Sequence, residues 1–445
     1  MTPSITLPRG AERILARLEE AGFESYAVGG GVRDALLGQA AQDWDLCTQA
    51  RPEEVHAIFH DLPVLDTGLR HGTVTLLPGD GRYEVTAFRV DGVYTDHRRP
   101  DGVTFTRSIR EDLARRDFTV NAVAYSPRRG LVDPFGGQAD LARGLLRAVG
   151  EPEARFREDA LRILRGLRFA ACLGFSIEPE TARAMRDCRE LLRDLAPERV
   201  WEELWRLLPG ENAVPVLREY RDMFAVVLPE IAPMFDFDQE NKHHIFDVWE
   251  HTLHTMSAAP REAGMQLTML LHDCGKPLTF THDKWGDGHF YGHAAAGAAR
   301  AEEALTRLRA PRALRETVVR RIALHDNDVY VSRPSILRWL RKLGREEFFA
   351  LLAVKTADNR AQSPVYDRTA SFLQARVMAE ALLAAGECYT REGLALRGGE
   401  LAEWGLRGAD IRRAQDKLLD AVIDGKAENT AASLRAWWER NQTKR

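Results

Sequence analysis

Two aspartates stand one residue apart in "DWDLCT", residues 43 to 48. On a strand, residues i and i+2 share a side, so Asp43 and Asp45 would present two carboxylates together and leave Trp44 on the other face. Two like charges that close repel unless a cation lies between them. Mg²⁺ takes carboxylate and phosphate oxygens, and a D-x-D pair can hold one or two such ions for phosphoryl or nucleotidyl transfer. Solvated turns carry the same pattern, so the neighbouring residues decide. Upstream, "GGGVRD" (Gly29 to Asp34) opens a helix after the apolar run "YAV". Gly30 and its neighbours let backbone N–H groups approach a triphosphate, and Arg33 can neutralise a phosphate oxygen. Strand, glycine turn, helix, strand and D-x-D together read as a nucleotide site.

A second constellation is "EDALRILRGLR", Glu158 to Arg168. Read as one helix, it sets Asp159 beside Arg162, three positions on. Arg165 and Arg168 continue the spiral, and Ile163, Leu164 and Leu167 face a core. A surface helix with an ordinary i,i+3 ion pair is the competing reading. A carboxylate beside a guanidinium offers acceptor next to donor. Cytosine and adenine each present an amino donor next to a ring-nitrogen acceptor, whereas uracil and guanine reverse both. Asp159 and Arg162 can therefore pair with C and A alike, and polar mismatches of this kind discriminate by roughly 10⁴–10⁵.

The histidines form the third constellation. Nine of the thirteen lie between His243 and His325. "HHIFDVWEHTLHTM" carries His251, "LLHDCGKP" carries His272 and Asp273, "HFYGHAAAGA" carries His293, "IALHDND" carries His325 and "VKTADNRA" carries Asp358. A His-Asp pair on an apolar helix, flanked by helices that each add a His or Asp, can converge on a divalent metal. Such a metal activates water against a phosphoester. A lone buried histidine is more often a satisfied core residue, but six candidates in this order outweigh that reading. Lys276 can neutralise a substrate phosphate.

The elements that must position these groups divide the chain of 445 residues. Residues 1–150 mix short β-rich runs ("YAVGG", "GTVTLL", "YEVTAF", "VTF") with helices and Gly/Pro turns. From about Glu153 the pattern becomes long Leu/Ala/Arg helices. The fold class expected is an α/β head of mixed sheet and helices followed by all-α regions: 151–232, then 233–370 around the histidines, then 371–445. The hydrophobic fraction is 44% and the charged fraction 29%, ordinary for a soluble chain. No run is long and apolar enough for a membrane helix, and the first residues lack a signal-peptide core. Five scattered cysteines without a C-x-x-C pair point to thiols in a cytoplasmic, reducing setting. A net charge of −4 gives no global basicity for nucleic acid, so local patches must serve. Arg143, Arg147, Arg155 and Arg157 beside the second constellation, and Arg412, Arg413 and Lys417 near the C-terminus, are the candidates, against the alternative of a solvated basic face.

The blocks "YAVGGGVRDALLGQAAQDWDLCT" (Tyr26 to Thr48), "DTGLRHGTVTLL" (Asp66 to Leu77), "EDLARRDFTVNAVAY" (Glu111 to Tyr125), "LVDPFGGQADLARGLLRAVG" (Leu131 to Gly150) and "RFREDALRILRGLRFAACLGF" (Arg155 to Phe175) follow in order. The series resembles the polymerase β nucleotidyltransferase superfamily, and within it the bacterial class II tRNA nucleotidyltransferases, which add or repair the 3′-terminal CCA of tRNA. The resemblance covers residues 26 to 175 closely and, more weakly, the stretch Gly405 to Thr430. It implies a polymerase β-like head, a helical neck for base recognition and a tail that anchors tRNA. It further implies Mg²⁺ on Asp43 and Asp45, with Glu84 as a third nearby acid. Nucleotide contacts would come from Gly30, Arg33, Arg116, Asp159 and Arg162, with phosphates on Arg165 and Arg168. For Arg116 a structural ion pair with Asp117 is the alternative. CTP, ATP and tRNA are the implied partners.

The histidine window resembles the HD phosphohydrolase domain in its H…HD…D order. That resemblance implies a divalent transition metal on His251, His272, Asp273 and Asp358, with His293 and His325 serving a second metal or a phosphate. By likeness to HD-bearing tRNA nucleotidyltransferases, the implied substrates are 2′,3′-cyclic or 2′-phosphate ends. Addition of the terminal A alone, CC addition and poly(A) synthesis are the rival activities. CC-adding relatives lack a loop after the "EVT" strand, and "RVDGVYTDHRRPDGVTF" (Arg89 to Phe105) has its full length here. A non-catalytic RNA-binding protein is the rival from another class, opposed by the intact Asp43, Asp45, Asp159 and Arg162.

Overall fold

A computed structural model describes residues 5–41, 43–92 and 103–442. The chain divides into two compact units, Met1–Pro229 and Glu230–Arg445.

The first unit is built on a seven-stranded mixed sheet in the order Val64–Gly68, Thr73–Leu76, Tyr83–Ala87, Asp45–Thr48, Ser25–Val28, Ala124–Ser126, Gly130–Val132. The four β-rich runs of the sequence all fall on strands, with "VTF" paired to Arg89–Asp91 in a separate ribbon. Ser25–Val28 is central and buried on both faces. Its antiparallel neighbour sets Val28 opposite Asp45. The only parallel pairing among these strands joins Asp45–Thr48 to Tyr83–Ala87, with Leu46 opposite Val85. Period-two burial holds at Tyr83, Val85 and Ala87, while Glu84 points to solvent. The amphipathic helix Arg9–Glu20 buries Ala11, Ile14, Leu15 and Leu18 against Leu46, Phe59 and Leu76.

Beyond the sheet the chain is helical, apart from two-stranded ribbons at Leu145–Leu146 with Ser176–Ile177 and at Thr281–His282 with Gly288–His289. The stretch Glu158 to Arg168 is not one helix. Pro152–Glu158 ends at Asp159, whose backbone is extended (φ −138°, ψ 101°). A second helix, Leu161–Leu173, then begins. Asp159 makes the break itself: its Oδ1 accepts the Leu161 N–H at 3.1 Å, the local capping bond that draws aspartate to helix starts. The core face holds as expected, with Ile163, Leu164 and Leu167 buried.

In the second unit, Ala263–Leu271 is buried all round from Gly264 onward, as a central helix must be. Its N-terminus is capped by Glu262, which accepts from the N–H groups of Gly264 and Met265. Helices Val248–Ala258, His293–Arg307, Arg312–Leu324 and Arg345–Arg360 pack in this unit. Ile336, Leu340, Leu418 and Leu419 form a separate core, to which the helix Arg345–Arg360 adds Phe348. No helix among the described residues is long and apolar enough to cross a membrane. All five cysteines are free.

Candidate functional site

One cleft of about 570 Å³ in the first unit is lined by Gly30, Arg33, Asp43, Asp45, Arg116, Asp159, Arg162, Arg165 and Arg168. These nine expected residues therefore meet at one place, whereas Glu84, expected as a third acid, is not among the residues that line it. Asp45 opens the strand Asp45–Thr48 and Asp43 just precedes it, both open to the cleft, while Trp44 between them is buried. The carboxyl of Asp45 is raised above the ordinary carboxylate range. Desolvation by the surrounding cleft walls is the main cause, although the carboxylate itself opens to the cleft; Arg116 opposes it, and the negative charges of Glu84 and Asp43 add to it. Acids held where ionisation is disfavoured are relieved by a cation. A donor set of carboxylate oxygens suits a hard ion such as Mg²⁺.

The glycine turn is shaped by close approach. Gly29 has φ +78°, and a Cβ there would meet Arg116 Nη1 at 3.3 Å and Asp45 Oδ2 at 3.7 Å. Arg33 is buried in the cleft wall, donating to Asn121 Oδ1 at 2.8 Å and pairing with Asp34 at 2.7 Å. Arg116 pairs with Asp112 at 3.2 Å, not with Asp117. Asp117 belongs to Arg165, 2.7 Å away, and Arg168 pairs with Glu203 at 2.6 Å. The phenyl ring of Phe169 lies among three guanidiniums, Arg33 at 5.1 Å, Arg165 at 5.5 Å and Arg168 at 4.2 Å. The cations of this wall are thus held in fixed positions by buried acids and one aromatic ring. Outside the cleft the expected basic patch is largely neutralised. Arg147 pairs with Asp140 and Glu178, Arg155 with Glu158, and Arg157 with Glu153.

Asp159 and Arg162 both line the cleft, but the i,i+3 ion pair expected of them is replaced by other partners because the helix breaks between them. Arg162 is bound to Glu158 at 3.1 Å and donates to the Arg115 carbonyl at 2.8 Å. Asp159 accepts from both terminal nitrogens of Arg199, at 3.3 and 2.9 Å. Arg199 comes from the helix Pro197–Leu207. Nothing in the spacing around Asp159 pointed to it, forty positions away. Asn121, Asp112 and Phe169 escaped notice likewise. Gln42 and residues 93–102, which include most of the loop expected to mark CCA over CC addition, lie outside the described residues.

The second unit holds the histidine cluster, at a cavity of about 320 Å³ lined by Asp273, His293, His325 and Asp358. Asp273 sits at its centre. Its Oδ2 lies 3.3 Å from His251 Nε2 and 3.2 Å from His272 Nε2. Its Oδ1 lies 3.7 Å from both His293 Nε2 and His325 Nε2. Asp358 reaches His251 at 3.0 Å and His272 at 3.9 Å. The six side chains expected to converge do so. The other ring nitrogens explain the orientation. Nδ1 of His251, His272, His293 and His325 faces the carbonyls of Ala361 (3.3 Å), Met269 (2.7 Å), Phe290 (2.9 Å) and Ile322 (2.7 Å). Four Nδ1–H donors leave four Nε2 lone pairs turned inward, the arrangement of metal-ligating histidines. Nε2 of His272 is buried without a hydrogen-bond partner among the described residues, and Nε2 of His293 and of His325 stand 3.2 Å apart. Mixed imidazole and carboxylate donors suit a divalent transition metal. The two oxygens of Asp273 face two separate groups, His251 with His272 and His293 with His325.

Lys276 does not stand free for a substrate phosphate: it is buried, 2.7 Å from Asp273 and bonded to Gln239 at 2.8 Å. His244 lines the same cavity. Burial first, then the charge of Lys276, pushes its pKa down to about 2, so it stays neutral.

The fold and cleft define the class. The family model of the poly A polymerase head domain matches residues 25–147, and that of the probable RNA and SrmB-binding site of polymerase A matches residues 174–235. The chain is 50% identical over 220 residues to the CCA-adding enzyme of Leuconostoc mesenteroides subsp. mesenteroides, covering 49% of this chain and 54% of that protein. It is 51% identical over 199 residues to that of Streptococcus uberis, covering 45% and 49%. The chain thus spans about half the length of these curated relatives. The solved CCA-adding enzyme of Bacillus stearothermophilus, in complex with CTP, matches with a TM-score of 0.74 at 30% identity, over 98% of this chain and 99% of that one. The chain belongs to the family of CCA-adding enzymes.

Proposed function

We propose that the first unit is a template-independent tRNA nucleotidyltransferase that adds or repairs the 3′-terminal CCA, joining CMP and AMP from CTP and ATP to the tRNA 3′-hydroxyl with release of pyrophosphate. The observation that carries this is the convergence of Asp43, Asp45, Arg116, Asp159 and Arg162 on one cleft. Mg²⁺ held by Asp43 and Asp45 supplies activation of the hydroxyl and neutralisation of the leaving pyrophosphate. The chain does the rest by position. Arg33, Arg165 and Arg168, each already braced by an acid or amide, provide fixed positive charge for the triphosphate. Asp159 accepts from the amino group of cytosine or adenine and Arg162 donates to the adjacent ring nitrogen. Uracil or guanine would set donor against donor there. Residues 1–150 are the catalytic head, 151–232 the base-reading neck, and 371–445 the tRNA-anchoring tail in this reading.

The second unit, over residues 233–370, is proposed as an HD phosphohydrolase acting on 2′,3′-cyclic or 2′-phosphate ends, which block nucleotide addition. What supports it is the inward set of four Nε2 lone pairs about Asp273. A divalent transition metal would be held by His251, His272, Asp273 and Asp358, with His293 and His325 offering nitrogens to a second metal or a phosphate, and the bound metal would supply a water nucleophile.

The test is incubation of the full chain with tRNAs ending at the discriminator base, at C and at CC, with CTP and ATP separately and together. The reading expects stepwise growth to CCA and then arrest. Extension of the CC-ended tRNA alone makes it an A-adding enzyme, arrest at CC makes it CC-adding, and a long A tail makes it a poly(A) polymerase.

A further inference from the structure

The floor of the second unit's cavity is the histidine–aspartate cluster; its rim is aromatic. Tyr291 lines that cavity two residues before His293 and is 78% exposed. His289, also lining it, lies nearly parallel to the Tyr291 ring, with centroids 5.1 Å apart and an interplanar angle of 12°. The pair is held from below. His289 Nε2 lies 3.3 Å from Asp283 across the ribbon turn, and Phe290 packs inward against Phe280 at 5.3 Å and Phe237 at 6.5 Å. Phe290 is half-buried and lines the cavity wall, while Tyr291 beside it faces outward. One face of its ring is covered by imidazole and the other is open.

We propose that the open face of Tyr291 is a base-stacking platform, so that the cluster acts on nucleoside phosphates and RNA ends rather than on phosphoesters at large. This rests on the hydrolase reading of the cluster. A bare phosphate needs only the metal-binding floor, whereas a flat, braced and solvent-facing ring at the mouth has no role for it. Every nucleobase offers a π-face, so stacking tolerates any terminal base while requiring that there be one. An enzyme that clears RNA ends of varied sequence needs that combination. His289 behind Tyr291 stiffens the ring, so little side-chain entropy is lost on binding.

The test uses the full chain loaded with Co²⁺, following the visible absorption of histidine-bound cobalt. A nucleotide in the first unit's cleft leaves that band unmoved. Wild type, Tyr291→Phe and Tyr291→Ala are titrated with adenosine 2′-phosphate and with inorganic phosphate. Tyr291→Ala is expected to bind the nucleotide about tenfold more weakly, with phosphate affinity unchanged, and Tyr291→Phe to behave as wild type. Equal nucleotide affinity in wild type and Tyr291→Ala, or an equal loss for both probes, overturns the platform and leaves the hydrolase reading standing. A wild-type protein with no histidine–cobalt band, or with a band that neither probe moves, overturns both.

Discussion

The carboxylate of Asp159 is held by both terminal nitrogens of Arg199, at 3.3 and 2.9 Å, in the cleft that Asp43 and Asp45 also line. A two-point guanidinium contact fixes the carboxylate's plane as well as its position. If that plane aims Asp159 at the base, Arg199→Ala will raise KM for CTP and ATP together by roughly tenfold, about 1.4 kcal/mol of lost positioning. The fall in kcat should be smaller. Steady-state kinetics with a CC-ended tRNA and ATP, and with a C-ended tRNA and CTP, check this.

Arg162 is buried and Asp159 partly so. A wrong base edge would therefore leave buried polar groups unpaired. Asp159→Asn and Arg162→Ala are expected to narrow the preference for CTP and ATP over UTP and GTP by roughly 10²-fold or more. The readout is the ratio of kcat/KM values for the four nucleotides on one tRNA. A uniform loss with unchanged ratios would give these residues a structural role only.

The two clusters lie in separate compact units, so their activities should separate. Asp43→Ala or Asp45→Ala should lower nucleotide addition by roughly 10³-fold, several kcal/mol of charge stabilisation, while sparing hydrolysis of cyclic-phosphate ends. His272→Ala should do the reverse and lower the bound transition metal measured by elemental analysis. Chelation followed by Mg²⁺ alone should restore addition but not hydrolysis. Loss of both activities in each folded variant would refute two independent sites.

Asp117 carries a pH signature. Burial would raise its carboxyl, but Arg165 at 2.7 Å and hydrogen bonds from Asn121 and the Phe118 N–H hold it down at about 2, against an ordinary 3.8. A folded-state pKa below the unfolded one stabilises the fold above the unfolded value, and the gain is lost as pH falls towards the folded value. Asp117→Asn should therefore cost on the order of 2 kcal/mol at neutral pH. The gap to wild type should shrink by about half at pH 3. Urea midpoints at the two pH values measure it.

The sheet was legible because "YAV", "GTVTLL" and "YEVTAF" carry strand composition and sit between glycine turns. The D-x-D pair and the six converging His and Asp side chains were legible because the chemistry of a candidate metal site restricts residue types. The break at Asp159 was not read, although aspartate before an apolar periodic run is a helix-start signal; the periodicity on either side masked it. Partners such as Arg199, Asp112 and Glu203 were out of reach, since ion pairs between distant segments leave no local pattern. The aromatic rim at Tyr291 was invisible for the same reason: only the fold shows which ring faces outward beside the cluster.

The most direct measurement is a crystal structure of the full chain soaked with CTP and Mg²⁺. The expected density places the triphosphate beside Asp43 and Asp45, with the cytosine amino group on the Asp159 carboxylate and its ring nitrogen on Arg162. A triphosphate bound away from the two aspartates, or a cytosine edge facing only solvent, would contradict both the catalytic assignment and the mode of base selection.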